Sequence, residues 1–316
     1  MDTALSLTRG SPVGAWAILD NLRLEHGSYT CVLRQGNGHP PLIGQMHYTS
    51  GERAARLSFL LPDHALETPG LPALLEGLAW EAGSRGAFSL LAEVEEDSPA
   101  FEGLRRTGFS VYAWQRVWKL KFDHQPAASQ PELWEPARDL DDIAIRGLYQ
   151  SLVPPLVQSA EPLVNPGGQG FIHARQDDLL GYIAPTYGPQ GIYLQPLIHP
   201  AVENSALLLR SLLAGMPFQL GRPIYIAVRS YQAWLENTLS QMEAEDGPRH
   251  ALLVKHLASP LRMPAYAARN GVLEKHQPAM IGTPGGETPL PLVHHQLEPQ
   301  RPPARLEEHP RNNETS

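Results

Sequence analysis

The sequence predicts an α/β fold with a mixed sheet (α+β), built from two domains that follow one another along the chain. The main observation is a repeated element order, because each half reads as three short strands joined by tight turns, then a helix, a strand, a helix and a final strand. Composition agrees with this, since 316 residues with 42% hydrophobic side chains can bury two cores. Two aperiodic segments rich in proline and polar residues complete the division, so we predict domains over 1–122 and 138–262, a linker over 123–137 and a disordered tail over 263–316.

The first repeat opens on a hairpin signal. Gly36-Asn37-Gly38 separates two strand-like runs, and Asn-Gly tolerates the positive φ that a tight turn needs. Apolar residues at helical spacing begin at Leu71 and stop at Gly83 and Gly86, which predicts one amphipathic helix. The predicted strands cover 31–35, 42–48, 55–61, 89–94 and 109–120, with a second, short helix around Phe101 and Leu104.

The second repeat follows the same order with little residue identity to the first. A leucine-rich run over 203–214 predicts its first helix, and the spacing of Trp234, Leu235, Thr238, Leu239 and Met242 predicts the second. An additional helix is expected over 143–153. The predicted strands cover 170–175, 179–187, 192–198, 224–228 and 250–257.

Charge and cysteine usage exclude some classes of partner and compartment. The formal charge of -8 offers no basic stripe for nucleic-acid phosphates, and it disfavours an anionic membrane surface. The single cysteine, Cys31, cannot form an intrachain disulfide, and residues 1–10 lack the features of a signal peptide. We therefore expect a cytoplasmic protein that binds neither nucleic acid nor membranes. None of the thirteen histidines has metal-ligand spacing, so no metal site is predicted.

Residues 98–109 carry a resemblance to a known protein family. This run predicts a short amphipathic helix that closes on Gly108-Phe109 and leads straight into a strand. It resembles the C-terminal half of the fold of the GNAT acetyltransferases. The resemblance implies two GNAT-like domains in tandem, with acetyl-CoA as co-substrate and an amine, on a small molecule or a peptide, as acceptor.

The resemblance also implies where acyl-CoA would bind. In that family a glycine-containing loop and the following helix N-terminus hold the pyrophosphate through backbone N–H groups. The matching residues in the first domain are Gly70, Leu71, Ala73 and Leu74. Glu67 and Pro72 depart from the family pattern, because a carboxylate repels a diphosphate and proline lacks an N–H. An ordinary helix N-terminus is the alternative interpretation of this stretch. The equivalent stretch of the second domain, 199–206, has no glycine, so the first domain is favoured as the acyl-CoA binder.

Two carboxylates are the candidate general bases. Glu93 and Glu95 alternate with Ala92 and Val94 on a predicted strand, so they share one face, and a base on this strand is implied by the resemblance. A solvated acidic strand end is the alternative. The tyrosine that commonly protonates the departing thiolate in the family is replaced here by Leu104. Tyr112, Trp114 and Trp118 also alternate, which predicts three aromatic side chains on one face of the next strand.

These observations leave two functional interpretations. One is an N-acetyltransferase that moves an acetyl group from acetyl-CoA to an unidentified amine. The other is a GNAT-like protein without catalytic activity that serves as a binding or interaction module. Neither the acceptor nor the oligomeric state follows from the sequence.

Overall fold

A computed structural model describes residues 2–10, 26–35, 40–120, 133–163, 170–176, 178–215 and 222–257. The predicted turn at Gly36-Asn37-Gly38, most of the predicted linker and the whole predicted tail lie outside the described residues. The described residues all belong to one compact unit, Met1–Arg262.

Strands and helices fall where the repeated pattern predicts them. The strands are β1 (His26–Leu33), β2 (Leu42–Thr49), β3 (Ala54–Leu61), β4 (Ser89–Glu95), β5 (Ser110–Lys119), β6 (Glu135–Pro136), β7 (Phe171–Arg175), β8 (Asp178–Tyr187), β9 (Ile192–Ile198), β10 (Ile224–Arg229) and β11 (Glu245–His256). The helices are α1 (Thr3–Arg9), α2 (Leu71–Ser84), α3 (Pro99–Arg106), α4 (Asp142–Leu152), α5 (Pro155–Ala160), α6 (Ser205–Gly215) and α7 (Trp234–Gln241). The periodicity did not reveal α1, α5 or the two-residue strand β6, which falls inside the predicted linker.

Within the described residues, the strands form one mixed sheet in the order β1-β2-β3-β4-β11-β5-β10-β9-β8-β7-β6. Two neighbouring pairs are parallel, β3 with β4 and β9 with β10, and each is joined through a helix, α2 or α6. The remaining pairs are antiparallel. The predicted α/β fold with a mixed sheet is therefore confirmed.

The last strand of each repeat pairs with the other repeat. β11 lies between β4 and β5, and β5 lies between β11 and β10. Neither β5 nor β11 pairs with a strand of its own half. The boundaries 1–122 and 138–262 stay a prediction, but the backbone hydrogen bonds at the centre of the sheet join the two halves.

The two faces of the sheet carry different helices. The residues of α2 that face the sheet recur at helical spacing, and the side chains of Leu71, Leu75 and Leu78 are almost fully buried. Below α2 and α3 lie alternate residues of the strands, such as Leu90 and Leu253, and α6 and α7 continue this layer over the second repeat. Helices α4 and α5 cover the opposite face, where Leu252 and Tyr112 pack.

A β-bulge corrects one prediction about the aromatic residues. The register of β5 against β11 shifts between Leu252↔Ala113 and Leu253↔Val111, which leaves Tyr112 as an extra residue. Tyr112 therefore joins the cluster under α4 and α5, whereas Trp114 and Trp118 pack on the α2 and α6 side. The prediction that the three aromatic side chains share one face was wrong, because a bulge reverses the alternation.

Among the helices of the described residues, none combines the length and the apolar character that crossing a bilayer requires.

Candidate functional site

The parallel strands β3 and β4 separate part-way along their length. They pair at Ala54↔Ser89, Ala55↔Leu90 and Arg56↔Leu91 and nowhere beyond, although β3 continues to pair with β2 as far as Leu61. A bulge in β3 lies just after the separation, because Gln45↔Phe59 and Met46↔Leu57 leave Ser58 as an extra residue. Bulges bend a strand and increase its twist. β3 thus turns away from β4 and opens a wedge between two parallel strands.

A cavity of about 420 Å³, referred to below as the central cavity, lies where the wedge begins. On the sheet side it is lined by Leu57 of β3 and by Ala92 and Glu93 of β4, directly after the last paired residues. Arg229 of β10 lines it from the second repeat, and the segment at Glu161, after α5, covers it. Both halves of the chain therefore build one cavity, whose size suits a small molecule.

Glu93 is held at this cavity by three groups from distant parts of the chain. Its carboxylate accepts hydrogen bonds from Nε2 of Gln115, from Nδ1 of His250 at 2.8 Å and from the backbone N–H of Thr3 at 3.2 Å. Burial opposes the charge, but the hydrogen bond from His250, nearby positive charge and the hydrogen bond from Thr3 together outweigh it, so the pKa of Glu93 is lowered. Glu93 is therefore an ionised, oriented carboxylate, paired with an imidazole that is 11% exposed.

A second buried carboxylate, Glu161, lies between two arginines. Its oxygens are 3.0 Å from Nη1 of Arg56 and 2.9 Å from Nη2 of Arg229. Burial would raise the pKa of Glu161, but the two guanidinium groups dominate and lower it to about 2. Arg56 keeps 45% of its side chain exposed and Arg229 only 6%, so Arg229 is the arginine that belongs to the interior.

Tyrosines make up much of the remaining wall, namely Tyr112, Tyr149, Tyr182, Tyr193 and Tyr231. Burial is the largest influence on each, and it raises the pKa of Tyr149 and of Tyr231 to about 12. The pKa values of the other three are raised by burial as well. At neutral pH these phenols are protonated. The hydroxyl of Tyr149 already donates to the carbonyl of Glu161 at 2.5 Å, and Tyr112 hydrogen-bonds the carboxylate of Glu161.

The second repeat has the same wedge, but a side chain fills it. β9 and β10 pair at three positions ending at Leu194↔Ile226. Beyond that point the buried Gln232 donates from Nε2 to the carbonyl of Pro196 at 2.7 Å and accepts from the N–H of Ile198 at 3.0 Å. These bonds satisfy the edge of β9 that β10 leaves free.

The predicted cofactor residues lie at the start of α2. Gly70 is the N-cap, the N–H of Leu71 bonds to the carbonyl of Thr68 at 3.2 Å, and the N–H of Leu74 bonds to the carbonyl of Gly70 at 3.1 Å. Ala73 is exposed, and its N–H makes no hydrogen bond to any described residue. The first turn of α2 therefore offers the N–H of Ala73 and the positive end of the helix dipole.

The two predicted bases have different surroundings. Glu93 lines the central cavity, whereas the side chain of Glu95 is 61% exposed, with its Oε1 3.9 Å from Nε2 of His250. Glu95 faces a second cavity, of about 730 Å³, which Asp63 and Asp97 also line. Leu104 is fully buried in the core beneath α2.

Three residues of the site were not recognised in the sequence. Arg229 directly follows the β-branched run of β10, and a charged residue ending such a run was the signal that could have identified it. His250 and Glu161 gave no local signal. Their role depends on the pairing of β11 with β4 and on the packing of α5, both of which join distant positions.

No protein-family model matches the sequence, and no curated protein is similar to it in sequence. Solved structures with a similar fold do exist. A tandem GNAT protein from the clavulanic acid biosynthesis pathway, in a structure without AcCoA, is 17% identical, over 79% of this chain and 90% of that chain, with a TM-score of 0.48. A GCN5-related N-acetyltransferase from Sphaerobacter thermophilus is 13% identical, over 68% of this chain and 76% of that chain, with a TM-score of 0.46. A GCN5-related N-acetyltransferase from Kribbella flavida is 13% identical, over 71% of this chain and 90% of that chain, with a TM-score of 0.43.

These likenesses concern the fold alone. The proteins in these structures carry GNAT or GCN5-related N-acetyltransferase names, which is the family that the sequence resembles. The activity inferred for this chain rests on its own residues, above all on the wedge and the cavity to which it leads.

Proposed function

We propose that this protein is an acyl-CoA-dependent N-acyltransferase that transfers an acetyl group from acetyl-CoA to an amine. One observation carries the proposal: the wedge between β3 and β4 opens onto the central cavity, which holds an oriented carboxylate, Glu93. A long, thin thioester can lie in the wedge, and an amine can be held in the cavity. The two reactants then meet where the strands part.

The acyl-CoA is proposed to enter from the wide end of the wedge. Since α2 begins after the end of β3, its first turn lies at this end. We assign the pyrophosphate to the backbone around Gly70, Leu71, Ala73 and Leu74, where the free N–H of Ala73 and the helix dipole favour an anion. Glu67 opposes this binding by charge, so backbone groups and the shape of the wedge supply the affinity.

The chemistry that this arrangement supports is direct transfer. The acceptor ammonium loses a proton to the Glu93–His250 pair, and the amine attacks the thioester carbonyl, forming the C–N bond and breaking the C–S bond. Glu93 lines the cavity and takes up this proton, while the hydrogen bond from Nδ1 of His250 holds its carboxylate in place. The departing CoA thiolate takes up a proton, and orientation supplies much of the acceleration.

A second candidate function, a GNAT-like binding module without catalysis, is favoured by one specific observation. The first turn of α2 offers few free donors, because Leu71 and Leu74 use their N–H groups within the chain and Pro72 has none. The side chain of Leu71 also packs against Gly103 of α3, where an added Cβ would lie 2.4 Å from Leu71 Cδ2, a contact that a real Cβ could not make. This close packing narrows the space beside the helix N-terminus.

The test is an acetyl-transfer assay on a panel of amines with Glu93→Gln and Glu102→Gln. Glu102 is an exposed carboxylate on α3, so its variant controls for the lost charge. We expect Glu93→Gln to lower kcat about 100-fold, since general bases typically contribute 10²–10⁴-fold, while Glu102→Gln keeps the wild-type rate. Transfer that is equal in both variants would contradict the role of Glu93. If the folded wild-type protein transfers an acetyl group to none of the amines, the acyltransferase proposal is contradicted, and the binding module without catalysis remains.

A further inference from the structure

Arg229 carries two buried nitrogen atoms that have no hydrogen-bond partner. Its Nη2 donates to Glu161, but its Nε and Nη1 have no partner among the described residues, although only 6% of the side chain is exposed. Leaving a buried charged donor unpaired is costlier than leaving a neutral one unpaired, so such atoms need an explanation. Because Arg229 lines the central cavity, an anionic group bound there would satisfy both nitrogens.

Two arginines face one carboxylate at this end of the cavity, because Arg56 and Arg229 both pair with Glu161. Asp2 and Glu93 line the same cavity and add negative charge, so the case for an anion rests on the two unpaired nitrogens of Arg229. A carboxylate matches the planar guanidinium better than a monatomic anion does, because it can accept two parallel hydrogen bonds.

The neighbouring strand, β5, carries an unpaired acceptor atom, which a cationic group of the ligand would satisfy. Gln115 of β5 pairs directly with Arg229 of β10, and its Oε1 is a buried acceptor without a partner. The Nε2 of the same side chain donates to Glu93, so the free oxygen lies beside an ionised carboxylate. An ammonium group would satisfy Gln115 Oε1 and would be attracted by Glu93.

The short distance between Arg229 and Gln115 limits which ligand can satisfy both residues. Directly paired residues on neighbouring antiparallel strands have Cα atoms roughly 5 Å apart, so the donor and acceptor groups lie side by side. We propose that the acceptor is a free α-amino acid, whose carboxylate binds Arg229 and whose ammonium binds Gln115 and Glu93. The role as acceptor rests on the proposed acyl transfer, whereas binding of the amino acid does not.

The experiment compares amino acids with the amines that differ from them by the carboxylate alone. Wild-type protein is titrated, first without acetyl-CoA, with L-leucine and 3-methylbutylamine, L-phenylalanine and phenethylamine, and L-ornithine and putrescine. For at least one pair we expect the amino acid to bind about 10- to 100-fold more tightly, as expected for charge-assisted hydrogen bonds to a buried arginine. Equal binding of both members in every pair, or binding of none of these probes, would overturn the inference.

Arg229→Lys gives an independent comparison, with Arg210→Lys as its control. Lysine keeps the charge beside Glu161 but cannot supply the two free guanidinium donors, and Arg210 is exposed on α6. We expect the preference for the amino acid to disappear in Arg229→Lys and to persist in Arg210→Lys. Should Arg229→Lys fail to fold, the paired ligands on the wild-type protein still decide the question.

Transfer assays separate this inference from the proposed function. Acetylation of amines regardless of a carboxylate would support acyl transfer and overturn the amino-acid acceptor. Tight, carboxylate-dependent binding without any acetylation would support the ligand and contradict the enzyme.

Discussion

At the scale of single residues, surroundings decide what each carboxylate can do. Glu93 and Glu95 are two positions apart on β4, yet Glu93 accepts three hydrogen bonds at the central cavity while Glu95 faces solvent. The sequence predicted their common face from the alternation of the strand. It could not predict the difference, because the partners of Glu93 are supplied by His250, Gln115 and Thr3 from other elements.

Glu161 permits a test of the buried ion pair. Glu161→Gln leaves Arg229 without its partner, so we expect a loss of about 3–5 kcal/mol in the free energy of unfolding at pH 7, measured by urea denaturation. Because the folded pKa of about 2 lies below the ordinary value, the wild-type contribution is complete above about pH 5. It is lost as the pH falls towards 2, so the difference between variant and wild type narrows by pH 3.

The control for this measurement is Glu203→Gln. Glu203 also pairs with an arginine at 3.0 Å, but both side chains are exposed. Surface pairs contribute about 0–1 kcal/mol, so this variant keeps nearly wild-type stability. Equal losses from the two substitutions would contradict the account of Glu161.

At the scale of elements, local patterns predicted most of the helices and strands but not their arrangement. Helix α2 followed from its apolar spacing, and β9 from its apolar run, and both agree with the structure. The separation of β3 from β4 did not follow from local patterns, since it depends on pairing between the two strands and not on either sequence. The bulges at Ser58 and Tyr112 reverse side-chain alternation, and propensity does not locate such irregularities.

Gln232 makes the second wedge a structural element rather than a ligand site. Gln232→Leu removes both hydrogen bonds to β9 and leaves the N–H of Ile198 and the carbonyl of Pro196 unpaired. We expect a loss of about 2–4 kcal/mol in the free energy of unfolding, because each buried unpaired group costs about 1–3 kcal/mol. Chemical denaturation measures it, with the exposed Gln241→Leu on α7 as a nearly neutral control. Wild-type stability in Gln232→Leu would show that the bridge is dispensable.

At the scale of the whole molecule, the exchange of β5 and β11 joins the two repeats. Each of these strands has neighbours from the opposite half alone, and the central cavity takes residues from both halves. The repeated element order was visible in the sequence, because it is a local property. The exchange of β5 and β11 was not visible in the sequence. A last strand with this alternation of apolar residues could pair either with its own half or with the other half.

This exchange predicts how separated halves behave. Residues 1–122 expressed alone lack both strands that flank β5, and residues 138–262 lack both that flank β11. We expect neither half to be a monomer with a cooperative melting transition, and co-expression to give a 1:1 complex by gel filtration. Two independently folded monomeric halves would contradict the importance of the exchanged strands.

The central claim is that the first repeat, and not the second, holds acyl-CoA. Its most direct test is calorimetric titration of acetyl-CoA into the wild-type protein and the variants Gly70→Glu and Gly77→Glu. Both substitutions add one carboxylate. Gly70 is the N-cap of α2, where an added Cβ would press on the flexible side chain of Gln35, whereas Gly77 faces open space in the middle of the helix. The account predicts one site per chain, of micromolar affinity, in the wild type and in Gly77→Glu, and its loss in Gly70→Glu. No binding to the folded wild type, two sites per chain, or equal affinity in the two variants would contradict it.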